Sequence, residues 1–222
     1  MRPTTRTEFT QHLRNLQDDV MVLGSMVEKA IAGAVESLRD QDAEQAQRVI
    51  DGDAEINRRR WQIEEESIRL MALQAPLAGD LRRVAAVMHV VTDLERMADH
   101  AEGIAKLVVR TIDEPLLKPL IDIPRMGDMA RAMLLDAIEA FVEDDADQAR
   151  SIAARDDLVD QLYDQIYREL LTFMISDPTT ITRATHLLWA AHNVERIADR
   201  VTNICERVVF VVTGTIEEMN RT

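Results

Sequence analysis

Cysteine is almost absent: Cys205 stands alone in 222 residues, so no internal disulfide can staple the fold. Aromatic residues amount to 4%, which leaves few of the side chains that strands favour. Only 7 Gly and 6 Pro are available to break helices. No segment alternates apolar and polar residues as a half-buried strand does. Basic charge is scarce too, with 26 Lys and Arg against 40 Asp and Glu and a net charge of −14. Nucleic acid and anionic membrane surfaces are won by basic patches. No Lys/Arg cluster in the sequence resembles such a patch, which argues against nucleic-acid binding and makes any membrane association peripheral, through partners. Long apolar runs are missing as well. Val208–Val212 falls far short of the ~20 residues that span a bilayer, and Met1–Phe9 has no apolar core of signal-peptide type. The expectation is a soluble, cytoplasmic protein. What remains is 46% apolar residues mixed with abundant Glu, Asp and Arg. That mixture forms helices, and the expected fold is all-α.

Apolar residues recur at three- and four-residue steps from about Glu8 to Arg39 (Leu13, Leu16, Val20, Leu23, Val27, Ile31, Val35, Leu38), the stripe of a long amphipathic helix. Asp42 suits the N-cap of a second helix, which Pro76 ends at about Gln74. Asp80 can cap a third, reaching about Thr111. Three prolines in residues 113–124 mark the one convincing linker. A fourth helix is expected from about Arg125 to Val142 and a fifth from about Ala146 to Ile175. A sixth, opened by Ser176-Asp177-Pro178, should run to Thr213, with Gly214 as its stop. Seven methionines (Met21, Met26, Met71, Met88, Met97, Met129, Met133) read as core filler, and Cys205 as an inert buried thiol.

The chain repeats itself. Leu94-Glu95-Arg96-Met97-Ala98-Asp99 returns 100 residues later as Val194-Glu195-Arg196-Ile197-Ala198-Asp199. Residues 34–46 align without gaps with 137–149, and the same offset pairs Gly24 with Gly127 and Asp53 with Asp156. Six long helices therefore form a tandem repeat of two three-helix bundles: residues 1–112, the Pro-rich linker 113–124, and residues 125–222.

In a helix, residues four apart share a face, and like charges at that spacing cost roughly 0.2–0.5 kcal/mol. Glu95/Asp99 and Glu195/Asp199 are such pairs, and each half adds a polar pair at the same spacing from its second helix, Asp53/Asn57 and Asp156/Asp160. Facing pairs of this kind make an oxygen-rich cluster suited to Mg²⁺, Mn²⁺ or iron. The second half continues with Asn203 and Glu206, where the first has Gly103 and Lys106. Lys106 would repel a cation, so the second half is expected to hold the stronger site. His192, three residues before Glu195, could add a nitrogen. The plainer alternative is a set of surface acids paired with Arg58, Arg96, Arg155 or Arg196. No nucleophile–base pairing, Gly-rich phosphate loop or zinc-type Cys/His spacing occurs.

Pro76-Leu77-Ala78-Gly79-Asp80-Leu81-Arg82, the two Glu-Arg-x-Ala-Asp phrases, Asp53-Ala54-Glu55-Ile56-Asn57, Asn203-Ile204-Cys205-Glu206 and Val211-Val212-Thr213-Gly214 together resemble the PhoU family of phosphate-uptake regulators. The resemblance covers nearly the whole chain. It implies two three-helix bundles, multinuclear iron or zinc on the acidic motifs, and a homodimer. Carried over by motif, the ligands are Asp53, Glu95, Asp99, Asp156, Asp160, Glu195 and Asp199. It also implies a non-enzymatic negative regulator of phosphate homeostasis, acting on phosphate uptake and starvation signalling. Its partners would be the phosphate-specific ABC transporter ATPase and a phosphate-sensing histidine kinase. The alternative carried beside it is a metal-dependent phosphoester hydrolase with a carboxylate-bridged metal site.

Overall fold

The structure is a computed structural model that describes residues 5–219. Seven α-helices and one 3₁₀ turn follow one another: α1 (Thr5–Asp40), α2 (Ala43–Gln74), α3 (Gly79–Thr111), α4 (Asp122–Glu143), α5 (Ala146–Ala153), α6 (Asp156–Ser176), the turn Pro178–Thr180 and α7 (Ile181–Thr213). No strand occurs among the described residues. The α1 stripe is a core stripe: Val20, Leu23, Val27 and Ile31 are fully buried, and Leu13 is partly so. Met97 and Met133 fill the core as expected, Met126 is buried with them, and Met21 lies 48% exposed on the outer face of α1.

The repeat is visible in its turns. Gln41 and Asp144, 103 residues apart, both adopt the left-handed conformation, with φ of 50° and 56°. The aspartate after each caps the next helix: Asp42 accepts from the Gln45 amide, and Asp145 from those of Asp147 and Gln148. Replacing Asp145 by Ala should cost about 1 kcal/mol, read as a lower denaturation midpoint with an unchanged slope. Gly52 lies exposed within α2, and an added Cβ meets nothing within 4 Å. Gly52→Ala should therefore stabilise by about 0.5–1 kcal/mol through helix propensity.

Three expectations are corrected. The fifth helix is two. At Ala154 and Arg155 the ladder tightens, the Arg155 amide bonding the Ile152 carbonyl at 2.9 Å, and α6 starts afresh at Asp156. Neither residue is a breaker. The turn instead sets the Arg155 guanidinium 2.6 Å from Asp136 of α4, a tertiary contact that overrides local propensity. Asp80 does not cap α3; it lies in the first turn and pairs with Arg6. The linker ends before Asp122, since Pro124 belongs to the first turn of α4, where a missing amide proton costs nothing.

The halves are also more than beads on a linker. Their helices pack across the repeat boundary, α3 along α7 and α1 along α4, and one continuous apolar cluster runs through both. Contacts at the boundary obey the repeat. Gly24 of α1 faces Ile138 of α4, and Gly127 of α4 faces Val35 of α1. One number falls as the other rises, so the two helices run antiparallel, related by a pseudo-twofold axis. A Cβ at Gly127 would stand 2.9 Å from Val35 Cγ2, and one at Gly24 3.1 Å from Ile138 Cγ1. The glycines let the backbones approach.

Candidate metal centre

In the second half, α6 and α7 lie side by side and bring four carboxylates together. Asp156 and Asp199 are 7% and 8% exposed, while Asp160 and Glu195 are half-buried. Burial, then the charges of Asp160, Asp199 and Glu195, push Asp156 up to about 7. Burial and then Asp199 raise Glu195 to about 7, and burial and Asp199 raise Asp160 as well. Two buried oxygens, Asp156 Oδ1 and Glu195 Oε2, have no hydrogen-bond partner. His192 Nδ1 comes within 3.2 Å of Glu195 Oε2, but without hydrogen-bond geometry, and its side chain is half exposed. Among the described residues the one close cation is Arg196, 2.5 Å from Asp199 on the same helix. The break before α6 matters here. It places Asp156 in the first turn of a helix, where the dipole favours a negative charge.

The first half repeats the arrangement between α2 and α3 with different company. Asp53 is raised by burial and by Glu102 and Asp99, and drawn down by Lys106. Glu95 is raised by burial and Asp99, and drawn down by Arg60 and Arg96. Asn57 donates to Asp53 Oδ2 at 2.6 Å, leaving Oδ1 unpartnered. Asp99, unlike Asp199, is exposed. Arg60, bound to Glu64 at 2.8 Å, and Lys106, bound to Glu102 at 2.6 Å, bring cations to the cluster. Arg60 had no signal in the motif. It becomes legible only by carrying the 103-residue offset across α2 and α6, which sets it opposite Tyr163.

Asn203 and Glu206 are placed elsewhere. The Asn203 amide donates to Asp93 of α3 at 3.2 Å, alongside Arg200, which pairs with the same oxygen. Glu206 accepts the Met219 amide at 2.8 Å, tying the C-terminal segment to α7. The repeat explains the first contact. Asp93–Arg200 has its counterpart in Asn193–His100, where the ring nitrogen and amide oxygen lie 2.9 Å apart. Gly103, the counterpart of Asn203, lies against Asn193. These positions form the seam between α3 and α7, outside both acidic clusters. Of the arginines weighed as neutralising partners, Arg196 alone pairs with a cluster acid. Arg58 pairs with Glu55 and Arg155 with Asp136.

Among the described residues, no three His, Cys, Asp or Glu side chains stand as a preformed metal-binding group. The α6/α7 cluster nonetheless suits a hard cation chemically. It offers four carboxylates, two of them with orphaned buried oxygens, in surroundings that penalise their charge. The α2/α3 cluster does not suit one, because an amide replaces one acid and two cations share its space. Cys205 is fully buried with its thiol pushed up to about 12, and so is inert.

The PhoU domain profile matches residues 20–108 and 123–208, one match to each half. A Clostridium acetobutylicum protein named phosphate-specific transport system accessory protein PhoU homolog is 38% identical over 217 residues, covering 97% of this chain and 99% of its own. The Escherichia coli phosphate-specific transport system accessory protein PhoU is 34% identical over 207 residues, covering 93% of this chain and 86% of its own. The crystal structure of PhoU from Pseudomonas aeruginosa superimposes with a TM-score of 0.89 at 35% identity, covering 93% of this chain and 100% of that one.

Proposed function

The chain belongs to the PhoU family, and from that premise we propose that it is a metal-binding regulator of phosphate homeostasis that restrains phosphate uptake and starvation signalling. The carrying observation is the match of both halves to the PhoU domain, together with near-full-length relatives named as accessory proteins of the phosphate-specific transport system. On this reading the chain docks on the transporter ATPase at the cytoplasmic face and contacts a phosphate-sensing histidine kinase, as a homodimer. The names of those relatives describe an accessory component, which favours a non-enzymatic role over phosphoester hydrolysis. No helix among the described residues is long and apolar enough to cross a membrane; on this reading membrane attachment runs through the transporter and kinase.

Charge bears on how the signal arrives. At −14 the chain repels orthophosphate unless a bound cation recruits it, so on this reading phosphate status is conveyed by a partner's conformation. Asp156, Asp160, Glu195 and Asp199 would hold the metal. When bound, a cation supplies positive charge that neutralises the cluster and cross-links α6 to α7.

Affinity capture from cells grown in excess and in limiting phosphate tests the regulatory reading. The transporter ATPase should co-purify, more strongly in excess phosphate, and deletion of the chain should raise phosphate uptake. Capture of no transporter component in either medium would sink it.

A further inference from the structure

We propose that the first acidic cluster is neutralised by the chain's own Arg60 and Lys106 and takes no metal, so that each molecule loads metal only at Asp156, Asp160, Glu195 and Asp199. The inference rests on the metal-binding reading above and departs from the symmetry of the repeat. At equivalent places the second half has Asp160 for Asn57, Tyr163 for Arg60 and Glu206 for Lys106. In the first half Asn57 removes a negative charge beside Asp53, Arg60 adds a positive one near Glu95, and Lys106 adds one near Asp53 and Asp99.

Arg60 is the deciding residue. Its side chain is 15% exposed, bound to Glu64 at 2.8 Å, with its guanidinium carbon 4.2 Å from the Trp61 ring centroid. Wedged between a carboxylate and an indole, it has nowhere to withdraw when a cation approaches. It also acts directly on Glu95. Arg196 contrasts with it. That side chain is 40% exposed and binds Asp199 within one turn of its own helix, so it can swing into solvent as a metal enters.

Asn57 weakens the first cluster further. It donates to one oxygen of Asp53, and a neutral amide brings no charge to replace the missing carboxylate. Asp53 Oδ1 is left without a partner, but one orphaned oxygen with the held Arg60 and the more exposed Lys106 nearby makes a poor donor set. The second cluster keeps two such oxygens on opposite helices.

The test is metal content per chain. Untagged full-length protein is stripped with chelator, reloaded with Zn²⁺ or Mn²⁺, freed of excess by gel filtration and analysed by element. Asp156→Asn/Glu195→Gln should lose at least tenfold of the bound metal, and Asp53→Asn/Glu95→Gln should match wild type. Asn57→Asp/Arg60→Tyr/Lys106→Glu, which installs the second half's residues, should about double the content. Circular dichroism checks each fold, and the single variants Glu195→Gln and Glu95→Gln serve where a double variant fails to fold. A comparable loss in both carboxylate variants overturns the inference and leaves the metal reading standing. No metal on any protein, wild type included, overturns both.

Discussion

Metal-free Asp156→Asn should be more stable than wild type at pH 7.5, by roughly 2–4 kcal/mol. Asp156 is raised from 3.8 to about 7 in the folded state, and each tenfold change in proton affinity is worth about 1.4 kcal/mol. Solvent at the edge of the cluster screens part of that penalty. Another part is shared with Glu195, so the two variants will not add. In a chain of this length the gain reads as a rise in melting temperature of roughly 5–12 °C. The pH dependence has the same origin. Below the unfolded value near 4, Asp156 is protonated in both states and costs nothing. As pH rises towards 7 the unfolded chain releases the proton that the folded chain retains, so wild type loses stability relative to the variant. The difference should grow from pH 4 to about 7 and level off above it. Thermal unfolding in chelator, measured from pH 4.5 to 8.5, checks this. A variant less stable than wild type across that range would refute it. The physical claim is that the cluster is held together at a cost that only a cation, or loss of charge, relieves.

Gly127→Leu should unfold the molecule more readily than any surface change, with a loss of about 3 kcal/mol or more. The reason is the closeness of α1 and α4: even one carbon at Gly127 would stand 2.9 Å from Val35 Cγ2 and 3.1 Å from Cγ1. Overpacking at such a site forces backbone shifts costing about 1–3 kcal/mol for small additions, and a branched side chain exceeds that. Gly127→Ala gains up to about 1 kcal/mol in helix propensity and so should lose less. Val35→Ala should restore much of what Gly127→Ala loses, because it removes the methyl groups in the way. Denaturant melts of the four proteins form a double-mutant cycle, and a coupling near zero would mean the glycine is not there for close approach. Gly52→Ala is the control, since it adds the same carbon where nothing is within 4 Å.

Asn203 and Glu206 show where motif reading fails. Four-residue steps look collinear in a sequence, but at 3.6 residues per turn each step drifts by about 40°. Asn203 therefore lies about 80° round α7 from Glu195, facing α3. Glu206 returns to the original face but stands about 16 Å further along the axis. Neither can join Glu195 around one ion, and the structure gives both other partners. The split of the fifth helix shows a second limit. Ala154 and Arg155 carry no local stop signal, and the turn answers to Asp136 on a different helix.

The sequence by itself determined the helices apart from the division between α5 and α6, their order, the twofold repeat and the acidic pairs, because these depend on periodicity and short-range spacing. Its low glycine, proline and aromatic content left the chain little else to be. Only tertiary structure decided that the halves share one core through α3–α7 and α1–α4, and that Asp93, His100, Asn193 and Asn203 belong to that seam. Tertiary structure also decided that the two acidic clusters differ in kind. Burial and the approach of Arg60 depend on which helix faces which, and that information lies in packing between residues far apart in the chain.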